Sequence, residues 1–172
     1  MSSLSLALLG TPVIQHADRM VVFPTRKALA LLAYLAVEGG AHSREKIAAL
    51  LWPESATGQA RTTLRSTLAL LRGALSESTA HLVATRDSLA FDQTSAYTLD
   101  VHVLRAAARA TRAIAQPDQI DARMRTLHVA ASTWRADFLD GFSLGDAPEF
   151  DDWATLQRES LHRAAALVCD TL

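Results

Sequence analysis

The residues Thr57 to Leu75 constrain this chain more than any other stretch. Ala60, Leu64, Leu68, Leu71 and Leu75 recur at three- and four-residue spacing, with Thr67 beside them. That period predicts an amphipathic helix whose buried stripe covers about one third of its circumference. Projection at about 100° per residue puts Thr62, Ser66, Ala69 and Gly73 on its outermost line. Arg61, Arg65 and Arg72 share one flank, and no acidic residue lies between Ser55 and Ser76. Small outer residues beside a row of arginines suit a helix pressed into a groove that carries negative charge.

The segments on either side say what kind of domain holds this helix. Before it, Thr25 is a plausible N-cap for a helix ending at Gly39-Gly40, with Ala28, Leu32, Leu35 and Ala36 as its apolar stripe. A shorter helix starts at Ser43, runs through Ile47, Leu50 and Leu51, and stops at Trp52-Pro53. Residues 4–23 predict an antiparallel meander of three short strands, with turns at Gly10-Thr11-Pro12 and Ala17-Asp18. After Glu77 the period changes to two. His81 to Thr85 and Ser88 to Phe91 flank Arg86-Asp87, which predicts a tight hairpin. Strands, three helices and a hairpin make an α+β winged helix-turn-helix, with the hairpin as the wing. Its boundary is expected near residue 100.

From residue 101 onward the pattern is helical. Val103 to Ala115 predicts one helix, ended by Gln116-Pro117-Asp118. Met124, Leu127, Ala131, Trp134 and Phe138 predict a second amphipathic helix. A third starts near Pro148 and is expected to turn Phe150, Trp153, Leu156, Leu161, Ala164 and Val168 inward. Such helix pairs suggest a tetratricopeptide-like, all-α second domain over residues 101–172. A stack of this kind needs further units, so the natural chain is expected to continue.

Charge has to be read locally. The 172 residues carry 17 Lys and Arg against 18 Asp and Glu, a formal net charge of −1, which gives no polycation argument for nucleic acid. A local stripe still sets the field a phosphate feels, because distant charges are screened beyond about 8–10 Å. Cys169 excludes a disulfide within the chain and reads as a buried, inert thiol in a reducing, cytoplasmic protein. Met1-Ser-Ser-Leu lacks the basic start of a signal peptide, and the apolar run Ala28 to Val37 is too short to span a bilayer. The six histidines have no metal-ligand spacing, there is no GxSxG elbow, and no GxxxxGK[ST] phosphate loop occurs. Glu149, Asp151 and Asp152 are accounted for by a helix first turn, which favours acidic residues. No enzyme, cofactor or metal is expected.

The run Ser43-Arg-Glu-Lys-Ile-Ala-Ala-Leu-Leu-Trp-Pro, followed by Ala60-Arg-Thr-Thr-Leu-Arg-Ser-Thr-Leu-Ala-Leu-Leu-Arg-Gly-Ala-Leu, resembles one family. It is similar to the antibiotic-regulatory-protein (SARP-like) activators, whose reader is an OmpR/PhoB-type winged helix. Trp134-Arg-Ala-Asp-Phe-Leu-Asp-Gly-Phe, Ala147-Pro-Glu-Phe-Asp-Asp-Trp and Arg158-Glu-Ser-Leu resemble the bacterial transcriptional activator domain of the same proteins. The resemblance implies a DNA-binding domain over residues 1–100 and the start of an activator domain over 101–172. It implies promoter repeats in double-stranded DNA as the ligand, with RNA polymerase and a second copy of the chain as further partners.

Within that reading, Arg61 and Arg65 are candidates for guanine edges or a flanking phosphate, Thr62 and Ser66 for bases or phosphates at close range, and Ala69 is a further DNA-binding candidate. Arg72 is a candidate phosphate clamp. Arg44 and Lys46 open the second helix, where backbone N–H groups also favour phosphate. Arg26 and Lys27 are further candidate clamps, and Arg86 at the hairpin tip is a minor-groove probe. Trp52 and Trp134 read as core. Leu70 is open between an exposed hydrophobe and an interface contact. The acidic loop from Asp137 to Asp151 is expected to contact the reader or a second chain. The alternative to DNA binding is a winged-helix and helical-repeat module that docks a protein partner.

Overall fold

The computed structural model describes residues 4–113 and 119–172. Seven strands and six α-helices follow one another as β1 (Leu4–Ala7), β2 (Val13–His16), β3 (Arg19–Met20), α1 (Arg26–Glu38), β4 (Ala41–Ser43), α2 (Arg44–Leu51), α3 (Thr57–Leu75), β5 (Leu82–Ala84), β6 (Ser88–Phe91), β7 (Tyr97–Leu99), α4 (Asp100–Thr111), α5 (Ile120–Thr133) and α6 (Pro148–Cys169) among those residues. A 3-10 segment, Ser76–His81, joins α3 to β5. One sheet has the order β3-β2-β1-β7, the other β4-β6-β5. The chain forms two compact units. The first comprises Met1–Ser5, Ile14–Tyr97 and Ser143–Asp152; the second comprises Leu6–Val13, Thr98–Phe142 and Trp153–Leu172. No described helix is long and apolar enough to cross a membrane.

The first unit is organised around α1. Thr25 caps it, its side chain accepting from the Ala28 N–H at 3.1 Å. Ala28 and every residue from Ala30 to Val37 are buried, so this helix is covered on nearly all sides. Gly39 ends it at φ +65°, and its N–H donates to the Leu35 carbonyl. A left-handed residue is needed there, and an added Cβ would lie 2.8 Å from the Gln93 amide. Ser43 caps α2 by accepting from Lys46 N–H at 3.2 Å. The meander turn has Ala17 and Asp18 at φ +49° and +63°, and the register pairs Gln15 with Met20 and His16 with Arg19.

Strand β4 is absent from the sequence reading, which gave Ser43 to the start of α2 only. Its three residues alternate exposed, half-buried, exposed and carry no apolar signal. It nonetheless pairs with β6, Ala41 opposite Ala90 and Ser43 opposite Ser88, which turns the expected hairpin into a three-stranded sheet. Arg26 and Lys27 are not clamps in waiting. The Arg26 guanidinium donates to the Ser143 carbonyl at 2.8 and 3.2 Å. Lys27 pairs with Asp146 at 2.7 Å and lies 5.4 Å from the Trp52 ring centroid. Asp151, at the start of α6, accepts from the backbone N–H groups of Leu144 and Gly145. Residues 143–151 of the acidic loop therefore close on themselves and on the start of α1, inside the first unit. Trp52 is half-buried rather than core.

The second unit is tied together by backbone groups far apart in sequence. Leu139 N–H donates to the Leu8 carbonyl and Gly10 N–H to the Asp137 carbonyl, both at 2.9 Å. The Arg158 guanidinium donates to the carbonyls of Phe138, Leu139 and Phe142. Helix α5 ends at Thr133, five residues before the predicted stripe ran out at Phe138. Ser132 and Thr133 turn their hydroxyls onto the carbonyls of Val129 and Ala130, which competes with helix continuation. Phe138 instead forms a bridge beside Leu9 and Gly10 and is fully buried. In α6 the buried residues Phe150, Ala154, Leu161 and Val168 follow a spacing of four, seven and seven. Leu156 and Cys169 fall off that narrow stripe and are exposed, so neither the inward leucine nor the buried thiol of the sequence reading holds. Trp134 is half-buried, with its ring edge-on to His162 at 5.1 Å. Helix α4 begins at Asp100, three residues before the predicted start. Its expected end at Gln116-Pro117-Asp118 lies outside the described residues.

Asp100 is the buried carboxylate of this unit, accepting from Leu9 N–H and from its own neighbour Val101 N–H, both at 2.8 Å. Burial pushes its pKa above the ordinary 3.8, and the backbone donors of Leu8, Leu9 and Val101 only partly offset that. A carboxyl raised in the folded state contributes stability that is full below its unfolded value and is lost as pH rises through its folded value. Urea unfolding of wild type and Asp100→Asn at about pH 3 and about pH 7 should therefore show wild type gaining on the variant at acid pH. A pH-independent difference would mean that the Asp100 pKa is the same folded and unfolded.

Candidate nucleic-acid interface

Helix α3 presents the face its sequence implies. Ala60, Leu64, Thr67, Leu68, Leu71 and Leu75 are buried, while Arg61, Thr62, Arg65, Ser66, Ala69, Leu70, Arg72 and Gly73 are exposed. The arginine flank forms one wall of a groove of about 950 Å³. The start of α2 (Ser43, Arg44, Glu45) and the tip of the β5–β6 hairpin (Arg86, Asp87) form the others. Arg44, Arg61, Arg65, Arg72 and Arg86 thus face one space against Glu45 and Asp87.

The local structure explains this convergence. Pairing of β4 with β6 carries the hairpin tip back to the first residue of α2, where Arg44 N–H donates to the Asp87 carbonyl at 2.9 Å. The Arg44 Nε donates to the Thr85 carbonyl at 3.0 Å. Thr85 Oγ1 accepts from Asp87 N–H and Ser88 N–H, which fixes the turn around Arg86. Arg44 is thus a brace for the tip as well as a cation of the groove. Nothing in a single strand period signals either Thr85 or this brace.

The other candidates differ in what they engage. Arg65, Arg72 and Arg86 are exposed and have no ion-pair or hydrogen-bond partner among the described residues. Arg61 is exposed but pairs with Glu45 across the groove, a partner that sequence reasoning missed because Glu45 reads simply as a first-turn acid. Lys46 is exposed but does not line the groove. Thr62 and Ser66 donate their hydroxyl protons back to the Gly58 and Thr62 carbonyls, at 3.1 and 3.2 Å. What these two side chains leave outward is oxygen lone pairs, which can accept from an amino group. Ala69 lies on the groove margin.

Such an arrangement can hold a polyanionic strand. Three unpaired guanidinium groups offer forked donors matched to phosphate oxygens, and a crest of small residues allows close approach of the helix.

No protein-family model matches the chain, and no curated protein matches it. Among solved structures, EmbR of Mycobacterium tuberculosis, determined in complex with a low-affinity phosphopeptide, is similar, with a TM-score of 0.66 and 23% sequence identity. The match covers 95% of this chain and 44% of the EmbR chain, so the chain spans less than half the length of that protein. Over nearly all its residues, then, the chain has the mixed α/β fold seen in part of EmbR.

Proposed function

We propose that the chain is a sequence-specific, DNA-binding transcriptional regulator of the SARP-like type. In this reading α1 to α3 and the β5–β6 hairpin are a winged helix-turn-helix. Helix α3 enters the major groove, and Arg86 on the wing reaches the adjacent minor groove. DNA recognition is assigned to residues 1–100, and dimerisation or polymerase contact to the helical residues from 101 on. No catalytic role is proposed. The observation that carries the reading is the groove that gathers five arginines between the exposed face of α3 and the hairpin tip.

Most of the affinity then comes from phosphate neutralisation and is salt-dependent. Fluorescence anisotropy with random and promoter-derived duplexes should give log K falling against log salt with a slope of about −3 to −4, as expected for Arg44, Arg65 and Arg72 each meeting a phosphate and Arg86 adding its charge in the minor groove. Glu45→Gln should tighten binding severalfold and steepen the slope by about one, because it releases Arg61 and removes an anion from the groove. Absence of binding at low salt would replace this reading with a protein-docking module.

A further inference from the structure

Leu70 is the one exposed large hydrophobic residue of α3, at 43% relative exposure among the described residues. Projected along the helix, it stands across the small-residue crest from the arginines, with Ser66 and Gly73 as its surface neighbours at i−4 and i+3. The helix therefore has two unlike flanks. One is cationic and faces the hairpin; the other carries a branched aliphatic group standing in water.

We infer that Leu70 is a specificity residue that reads the C5-methyl group of thymine; this rests on the proposed DNA-binding function. Every base presents hydrogen-bond donors or acceptors at its major-groove edge, and only thymine adds an apolar methyl group, at C5. A leucine lowered into that groove over any other base edge desolvates polar atoms without pairing them. Over a thymine methyl it removes apolar surface on both sides from water. The small side chains of Ser66, Ala69 and Gly73 let the helix come close enough for a short aliphatic chain to reach the base edge. The preferred site therefore carries thymine on the side of the helix away from the arginine flank.

Replacing thymine by uracil deletes that methyl and leaves every hydrogen-bonding group in place. The full chain would be used to select duplexes from a random library, and the selected duplex would be remade with uracil at one thymine position at a time. With wild type, at least one position should lose about three- to fivefold in affinity, the scale of one buried methyl group. Leu70→Ala should bind the thymine duplex as weakly as wild type binds the uracil duplex and show no difference between the two. Salt-sensitive binding with no uracil penalty, or a penalty that persists in Leu70→Ala, would overturn the inference while leaving DNA binding intact. A selection that enriches nothing and yields no salt-sensitive binding would overturn both.

Discussion

Reversing charge at Arg65 and Arg72 together, to glutamate, should reduce DNA affinity by on the order of 10²- to 10⁴-fold at low salt, since a hydrogen bond to a charged group is worth about 1.5–3 kcal/mol. The salt slope should become shallower by about two, one increment for each phosphate contact removed. These two arginines are the informative pair because both are exposed and neither has an internal partner among the described residues. Their replacement leaves the stripe of Ala60, Leu64, Leu68, Leu71 and Leu75 untouched, so the melting temperature should stay close to that of wild type. Arg61 would give an ambiguous result, because its loss also frees Glu45. An affinity unchanged by the double reversal would remove α3 as the reading element.

Phe138→Ala should destabilise the second unit by about 3–5 kcal/mol, the range for deleting a buried aromatic side chain. Phe138 is fully buried, sits edge-on to Trp153 at 5.7 Å, and has its carbonyl held by Arg158 Nε at 2.8 Å. A loss of that size is a large share of the roughly 5–15 kcal/mol that holds a folded protein together. It should appear as a fall in the urea midpoint with little change in the slope. A loss below about 1 kcal/mol would mean that the ring can be removed without leaving a cavity.

Helices α1, α2 and α3, the Thr25 cap of the first and the exposed face of the third were legible in the sequence, the helices because each repeats apolar residues at helical spacing. Leu64, Leu68, Leu71 and Leu75 leave little choice about which side of α3 is covered. The hairpin was legible from the change to a period of two around Arg86-Asp87. What was not legible has another physical origin. Strand β4 pairs with β6 through backbone groups that leave no mark on the apolar period, and Arg44 braces the hairpin tip through carbonyl groups that every residue has. Arg26 and Lys27 resembled phosphate clamps because a free arginine and one bound to a carbonyl more than a hundred residues away look identical in sequence. Phe138 continued the spacing of α5, but spacing cannot say that Ser132 and Thr133 will take the last carbonyls for themselves.

The residues that engage Arg26 and Lys27 also set a schedule for making the molecule. Ser143 and Asp146 are 117 and 119 positions downstream of their partners, yet they belong to the same compact unit. At a translation rate of roughly 5–20 residues per second, about 6–24 s separate the emergence of the two halves of that contact. In the later part of this interval the nascent chain has α1, α2 and α3 in hand but lacks the loop that engages the start of α1. Chaperone occupancy and protease sensitivity of ribosome-bound chains should therefore change not when β6 has been synthesised, but some fifty residues later.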